Sequence, residues 1–205
     1  MADGPVIQQA SERALRHGFG VADILEMVAE ARKETGIPIV LFSYFNPLFQ
    51  FGVDKLAEEA KRVGIDGILV TDLAPEEAGE FAIALRKRDR DMIFLVAPTS
   101  TDMRLKMIAD HASGFIYAVA RAGVTGAREE MSADAERLVN RVRKFSSLPV
   151  AVGFGISKPE HVREVWRYAD AAVVGSAIVQ MIGDNKSTKD MISKVSQFAR
   201  RLVTE

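Results

Sequence analysis

Glycine and serine residues close the last two apolar runs of the sequence, directly before helix patterns. Gly153 and Gly155 close the run "PVAVGFG", and Gly175 and Ser176 close the run "AAVVGSA". Backbone N–H groups at a helix N-terminus converge on an anion, and glycine lets the chain approach that anion closely. These two strand ends therefore predict a binding site for a phosphate monoester.

A third glycine-rich loop, "RAGVTGA" at residues 121–127, follows the apolar run that contains Tyr117. A single glycine pair of this kind is more typical of an ordinary tight turn than of a ligand site. Two pairs at the final two runs, preceded by a glycine loop, favour the phosphate site over ordinary turns.

Six short apolar runs alternate with helix patterns along the chain. The runs start at Ile37, Gly67, Ile93, Phe115, Pro149 and Ala171. They are nearly continuous in apolar residues, which is typical of parallel strands that are covered on both faces. The helix ends between them carry their own signals. These are Gly64 as a stop, Pro75 in a first turn, Thr101 at a start, Ser132 as an N-cap, and Ser157 with Glu160 as a capping box.

The strict alternation of strands and helices predicts a parallel α/β fold. A doubly wound sheet usually carries G-x-G-x-x-G near its first strand, and the sequence has no such motif there. A TIM (β/α)8 barrel often binds phosphate with the loops after its last two strands. We therefore predict a single TIM-barrel domain over residues 1–205, although six runs are fewer than the eight strands of a barrel.

Composition excludes several classes of site. The net charge is −1, with charges spread over helix faces, so no nucleic-acid or membrane partner is expected. The absence of cysteine excludes disulfides and thiolate metal sites. His111 and His161 lie on predicted helices away from the strand ends, and no histidine pair has ligand spacing, so no metal site is predicted. The sequence shows no secretory signal and no apolar run of membrane length, which predicts a soluble cytoplasmic protein.

Six motifs resemble one known family in their order and spacing, over essentially the whole chain. They are "ADGPVIQQA" at residues 2–10, "YFNP" from Tyr44, "VTDLAPEEA" from Val70, "RAGVTGA" at 121–127, "GFGIS" from Gly153 and "GSAIV" from Gly175. Together they resemble the α subunit of tryptophan synthase. The resemblance implies a TIM barrel that cleaves indole-3-glycerol phosphate to indole and glyceraldehyde 3-phosphate. It also implies an α2β2 complex in which the β subunit holds pyridoxal phosphate and receives the indole through a tunnel, with no cofactor in this chain.

The resemblance also assigns roles to particular residues. Asp3 of "ADGP" is the implied catalytic carboxylate, and Thr125 contacts it when the lid loop closes. Tyr117 ends the strand before the lid, and Arg121 begins the lid loop and is expected to hold its structure. The other implied roles are phosphate contacts at Gly126, Gly155, Gly175 and Ser176, an indole pocket of Phe42, Tyr44, Leu69, Thr71, Leu95 and Phe154, and a surface facing the β subunit around Asn46 and Pro47, in the loop after the first strand.

The family's second catalytic carboxylate is a glutamate at the end of barrel strand 2, before "ADGP". No residue of this sequence corresponds to it. We therefore expect that the first two barrel strands are missing, that Met1 is an internal methionine of a longer chain, and that the 205 residues alone are nearly inactive. Asp72 also stands at a strand end, but the pattern favours a cap for the helix that is predicted near Pro75.

The implied reaction is a retro-aldol cleavage that needs two carboxyl groups in different roles. Protonation at indole C3 places positive charge on the ring nitrogen, where a carboxylate stabilises it, while a second carboxyl moves protons at C3 and at the side-chain hydroxyl. Asp3 fits the first role. Two alternatives remain: a non-catalytic barrel fragment that keeps phosphate binding and β-subunit contact, and another phosphate-binding barrel, such as a relative of indoleglycerol-phosphate synthase. The motifs "ADGP" and "GVTG" disfavour the second alternative.

Overall fold

The computed structural model describes residues 3–119, 128–153 and 155–204, and for residues 128–132 it describes the backbone. Six parallel strands form one sheet in chain order, each beside its sequence neighbour. The strands are β1 (Val40–Ser43), β2 (Gly67–Val70), β3 (Asp91–Val96), β4 (Ile116–Val119), β5 (Val150–Gly153) and β6 (Ala171–Ala172). The prediction of six parallel strands is confirmed.

The sheet is a half-barrel. Within the described residues, β1 pairs with β2 and β6 pairs with β5, and neither has a second neighbour. That two strands of a full barrel are missing stays a prediction.

Ten helices connect or flank the strands within the described residues. They are α1 (Pro5–Leu15), α2 (Val21–Arg32), α3 (Phe45–Phe51), α4 (Val53–Val63), α5 (Gly79–Arg86), α6 (Asp102–His111), α7 (Arg128–Val142), α8 (Pro159–Val165), α9 (Ser176–Asn185) and α10 (Met191–Thr204). None of the helices in this part of the chain is long and apolar enough to cross a membrane.

The strands divide their side chains between two apolar layers, because successive residues of a strand point to opposite faces. On β3, Met92, Phe94 and Val96 join the core between the sheet and the helices. Ile93 is also buried but is not part of that core, so it belongs to the inner face of the half-barrel. This inner layer forms the bottom of the candidate site.

Two of the predicted helix ends are confirmed by their capping geometry. Thr101 is the N-cap of α6, and its Oγ1 accepts a hydrogen bond from the Arg104 backbone N–H at 3.3 Å. Gly64 ends α4 with φ 85°, a left-handed conformation that favours glycine at a helix C-terminus.

Three other predicted helix starts are wrong. Pro75 lies in a tight turn, in which the Glu77 N–H donates to the Ala74 carbonyl at 3.0 Å, and α5 begins only at Gly79. The next helix, α7, begins at Arg128 and therefore before Ser132. On α8 the N-cap is Lys158 without a side-chain hydrogen bond, so the capping box of Ser157 and Glu160 does not form.

The segment after β1 is a short helix and not the loop that the sequence predicted. Asn46 and Pro47 are exposed residues in the first turn of α3. Asp72, which follows β2, accepts a hydrogen bond from the Phe45 N–H at 2.7 Å and so satisfies a free donor at the start of α3. The prediction that Asp72 caps a helix near Pro75 is therefore wrong, because its partner lies on the neighbouring βα connection.

Candidate active site

A cavity of about 740 Å³ opens at the C-terminal ends of the strands. The chain reaches it directly after β1, β2, β5 and β6, while α1 contributes residues from the open side of the sheet. The predicted site residues that line it are Asp3, Phe42, Tyr44, Thr71, Tyr117, Gly155, Gly175 and Ser176. The structure therefore brings together residues as distant in sequence as Asp3 and Ser176.

Asp3 is held at this cavity by a tyrosine from the other side of the sequence. The Tyr44 hydroxyl donates a hydrogen bond to Asp3 Oδ2 at 2.6 Å. This bond, together with burial and the negative charges of Asp3 and Asp72, raises the pKa of Tyr44 to about 12. Tyr44 thus remains a neutral donor at any physiological pH. Sequence analysis placed Tyr44 in the indole pocket but did not predict this contact.

A second hydrogen bond fixes the backbone of Asp3. The Gln8 side-chain amide donates to the Asp3 carbonyl at 2.7 Å, so α1 is tied to a residue that lies two positions before its start at Pro5. Nothing in the residue spacing predicted a role for Gln8. Among the described residues that line the cavity, Asp3 is the one carboxylate.

Tyr117 and Phe42 form the aromatic part of the cavity wall. Their ring centroids are 6.0 Å apart, although they belong to β4 and β1. Burial raises the pKa of the Tyr117 hydroxyl. A Cβ on Gly153 would lie 2.0 Å from Tyr117 Oη, so the phenol occupies the space that a side chain at Gly153 would need. Sequence analysis explained Gly153 by approach to phosphate, and the structure gives this second reason.

Leu69 and Leu95 lie outside the cavity lining. Leu69 is buried and sits two residues before Thr71, so it belongs to a deeper layer of the inner face. Leu95 lies beside Tyr117 in the strand register, whereas the register partner of Leu69 on β3 is Ile93. The lining instead includes apolar residues that the sequence did not single out: Val6, Ile7, Ile156, Val173 and Val179.

The two predicted phosphate loops lie on the same side of the cavity. Gly155 has φ 48°, in the left-handed region, and Gly175 is the N-cap of α9 with Ser176 as its first residue. Among the described residues, chain neighbours aside, no atom lies within 4 Å of the place where a Cβ would stand at Gly155 or Gly175. The first N–H groups of a helix have no partner within it, so the start of α9 offers free donors. Arg121, Thr125, Gly126 and Phe154 lie outside the described residues.

His161 lies beside the loop after β5, which contradicts the prediction that it is remote from the strand ends. Its Nδ1 accepts a hydrogen bond from the Ser157 backbone N–H at 3.2 Å and is 3.3 Å from the Gly155 carbonyl oxygen. The prediction was wrong because α8 folds back directly on the loop that precedes it. Within the described residues no group of three or more His, Asp or Glu side chains has the arrangement of a metal site.

Comparison with known proteins identifies the family. The model of the tryptophan synthase alpha chain family matches residues 1–204. The chain belongs to the tryptophan synthase alpha chain family. It is 46% identical over 202 residues to the alpha chain of Solibacter usitatus, covering 98% of this chain and 76% of that protein. It is 44% identical over 195 residues to the alpha chain of Carboxydothermus hydrogenoformans, covering 94% and 73%.

Solved structures of the family share this fold. A chain of the tryptophan synthase α2β2 complex from Pyrococcus furiosus superposes with a TM-score of 0.90 at 40% identity, covering 98% of this chain and 81% of that one. The alpha chain from Legionella pneumophila superposes with a TM-score of 0.88 at 34% identity, covering 98% and 74%. Family membership assigns the chain to the lyases and to tryptophan biosynthesis, and the half-barrel matches these TIM-barrel-like structures.

Proposed function

We propose that this chain supplies the site in which indole-3-glycerol phosphate is cleaved to indole and glyceraldehyde 3-phosphate. The observation that carries the proposal is one cavity that combines a held carboxylate, Asp3, with an aromatic wall and two glycine loops. A substrate with an indole ring at one end and a phosphate at the other needs these three features in one place.

The phosphate end belongs at the open loops. Gly155 and Gly175 leave room for close approach, and α9 directs the positive end of its dipole and its free N–H groups to the same place. The Ser176 hydroxyl adds a side-chain donor. The lid residues Thr125 and Arg121 and the further phosphate contact at Gly126 complete this proposal on the strength of the resemblance.

The indole end belongs against Phe42 and Tyr117, where the wall is apolar. In this orientation Asp3 faces the indole N–H and stabilises the positive charge that forms on the ring when C3 is protonated. Tyr44 keeps the carboxylate in place through its hydroxyl. The resemblance adds Phe154 to this pocket, whereas Leu69 and Leu95 lie outside the cavity lining described above.

We also propose a β subunit as partner. The related Pyrococcus furiosus protein occurs in an α2β2 complex. On this chain the exposed residues of α3, among them Asn46, Pro47 and Phe49, form the proposed contact surface, and the Phe49 side chain is 58% exposed. Pyridoxal phosphate is assigned to the β subunit and no cofactor to this chain. We propose the cytoplasm as the location, and cell fractionation tests it.

The finer proposal concerns the activity of the 205 residues by themselves. The cavity lining described here holds one carboxylate, and the reaction uses a second group for proton transfer. The edges of β1 and β6 leave the half-barrel open in the described residues. We propose that two further strands close this gap and supply the second carboxyl, and that without them turnover is slow.

Indole release from indole-3-glycerol phosphate tests both the proposed reaction and the proposed slow turnover of the 205 residues by themselves. We expect slow release from the 205-residue protein, with or without a β subunit, and recovery when roughly 50 upstream residues are added. In the extended protein, Asp3→Asn should remove most turnover and leave glycerol 3-phosphate binding intact.

Three results would contradict these proposals. Phosphate binding without turnover in the extended protein would favour the non-catalytic alternative. Normal turnover by the 205 residues would overturn the proposal that turnover is slow without two further strands, and would leave the proposed reaction intact. An active Asp3→Asn enzyme would overturn the role of Asp3.

A further inference from the structure

We infer that His161 is a positioning residue for the phosphate loop, residues 155–157, and that it acts as a hydrogen-bond acceptor through Nδ1. The inference rests on the proposed phosphate site. It concerns a residue that touches neither ring nor phosphate of the substrate, but fixes the backbone whose N–H groups would bind the phosphate.

Two backbone contacts of Nδ1 bear on the tautomer of the His161 ring. The Ser157 backbone N–H, which can only donate, points to His161 Nδ1 at 3.2 Å. We assign Nδ1 as the acceptor of this bond, which places the proton of the neutral imidazole on Nε2; the tautomer with its proton on Nδ1 would donate to the Gly155 carbonyl oxygen instead. The same Nδ1 is 3.3 Å from the Gly155 carbonyl oxygen, so the ring lies against both ends of the three-residue loop.

The second ring nitrogen, Nε2, makes histidine an unusual residue at this position. Nε2 is buried and has no hydrogen-bond partner within the described residues. A buried donor without an acceptor is unfavourable, and each such group in a folded protein needs an explanation. An aliphatic side chain of similar size would fill the space without this cost. The acceptor at the Nδ1 position is what histidine contributes here and an aliphatic residue does not.

The loop needs contacts that fix its backbone conformation. Gly155 has φ 48° and is exposed, and within the described part of the chain no atom beyond its sequence neighbours lies within 4 Å of its Cβ position. The Ile156 side chain, which is buried and also lines the cavity, anchors the middle of the loop. The Ser157 to His161 hydrogen bond ties the end of the loop to α8, so the three residues keep one arrangement before the phosphate arrives. A preorganised loop binds its ligand more tightly, because less ordering is needed on binding.

Two amide substitutions separate the two ring nitrogens. The oxygen of asparagine stands two bonds from Cβ, as Nδ1 does, whereas the oxygen of glutamine stands three bonds away, as Nε2 does. His161→Asn therefore keeps an acceptor for the Ser157 N–H, and His161→Gln and His161→Leu remove it. His111→Gln on α6, remote from the cavity lining, is the control.

Titration calorimetry with glycerol 3-phosphate on the 205-residue protein gives the main result. We expect His161→Gln and His161→Leu to bind about tenfold more weakly than the parent, and His161→Asn to stay within about threefold of it. Amide hydrogen exchange should show the Ser157 N–H protected in the parent and in His161→Asn, but not in the other two variants. The 15N signals of the imidazole should show Nε2 protonated and Nδ1 not.

The outcomes separate this inference from the proposed function. If the parent binds glycerol 3-phosphate and all three variants bind equally well, the inference is overturned and the phosphate site stands. Weaker binding of His161→Asn and His161→Gln to the same degree, with lower melting temperatures, shows a packing role and also overturns the inference. If the parent does not bind, the proposed site fails, and an unprotected Ser157 amide or a protonated Nδ1 then overturns the His161 contact independently.

Discussion

At the scale of single residues, the cavity depends on pairs of side chains that are distant in sequence. Asp3 and Tyr44 meet through one hydrogen bond of 2.6 Å across 41 positions, and Gly153 and Tyr117 share one space. In each pair one member is a proposed catalytic group or part of the cavity wall, and the other constrains its position. Substitutions that leave the first member intact therefore reveal how much of the function depends on position.

Tyr44→Phe keeps the ring and removes the hydroxyl that holds Asp3. We expect kcat of the extended protein to fall about tenfold, because a loosely held catalytic group loses alignment with the substrate. Binding of glycerol 3-phosphate should stay unchanged, since Tyr44 is remote from the glycine loops. Steady-state indole release measures kcat, and Asp3→Asn in the same assay sets the lower limit. An unchanged kcat would show that Asp3 is held by other contacts.

Gly153→Ala adds a Cβ where Tyr117 Oη already lies, at 2.0 Å. Because Gly153 is buried and an added methyl group forces the Tyr117 phenol or the strand to shift, we expect the free energy of unfolding to fall by about 1–3 kcal/mol. Urea denaturation measures this loss. Gly79→Ala, where no atom lies within 4 Å of the Cβ position, is the matched control and should be nearly neutral.

The double variant Gly153→Ala with Tyr117→Ala tests the cause of that loss. Removing the phenol frees the space, so the alanine at 153 should add no further destabilisation to Tyr117→Ala alone. A cost that is the same with and without Tyr117 would mean that the strain at position 153 comes from the backbone.

At the scale of secondary structure elements, the shortest of the described strands precedes one of the proposed phosphate loops. β6 has two residues, and Asp170 directly before it accepts a hydrogen bond from the Val150 N–H at 2.8 Å and another from Arg143 at 3.1 Å. These contacts, the Val150 N–H first, lower the pKa of Asp170 below its usual 3.8. Asp170 thus joins β5 and β6 at their N-terminal ends, opposite the site.

Asp170→Asn should change the pH dependence of stability. Because the pKa of Asp170 is lower in the folded than in the unfolded protein, its contribution is present above the ordinary pKa and is lost as pH falls through the folded value. Urea denaturation at pH 6 and pH 3 should therefore show a smaller difference for the variant than for the parent, by at most about 1 kcal/mol, because solvent screens this half-exposed group.

Arg143→Gln separates the two contacts of Asp170. It removes the ion pair and leaves the bond from the Val150 N–H, which is the larger cause of the lowered pKa. Most of the acid sensitivity should therefore remain. If Arg143→Gln abolishes it, the ion pair and not the strand contact determines the effect.

At the scale of the whole molecule, the open half-barrel leaves apolar surface uncovered. The side chain of Phe42 on β1 is 55% exposed, and that of Ile37, just before the strand, is 71% exposed. β1 and β6 each present one edge without a paired strand in the described residues. Unpaired strand edges next to exposed apolar side chains promote pairing with another chain.

We therefore expect the 205-residue protein to associate. Light scattering after size-exclusion chromatography should show dimers or larger species whose fraction rises with concentration. The protein extended upstream by roughly 50 residues should remain monomeric in the absence of a β subunit. A 205-residue protein that is monomeric at every concentration would contradict this expectation and the open edges on which it rests.

The sequence by itself determined the order of strands and helices and the composition of the phosphate loops. Continuous apolar runs, the stop at Gly64, the cap at Thr101 and the glycines at 155 and 175 are local signals, because each depends on residues within a few positions. Their agreement with one barrel, and the six motifs, predicted the family and eight of the residues that line the cavity.

Only the tertiary structure decided which side chains meet. Asp72 binds the start of α3 instead of its own helix, Tyr44 holds Asp3, and His161 turns back on the loop after β5. These contacts depend on the strand register and on the curvature of the sheet, which bring together side chains from different βα units. Hydrophobic periodicity indicates which face of its element a residue occupies, but not which residue of another element it contacts. No local pattern in the sequence therefore predicted these pairs.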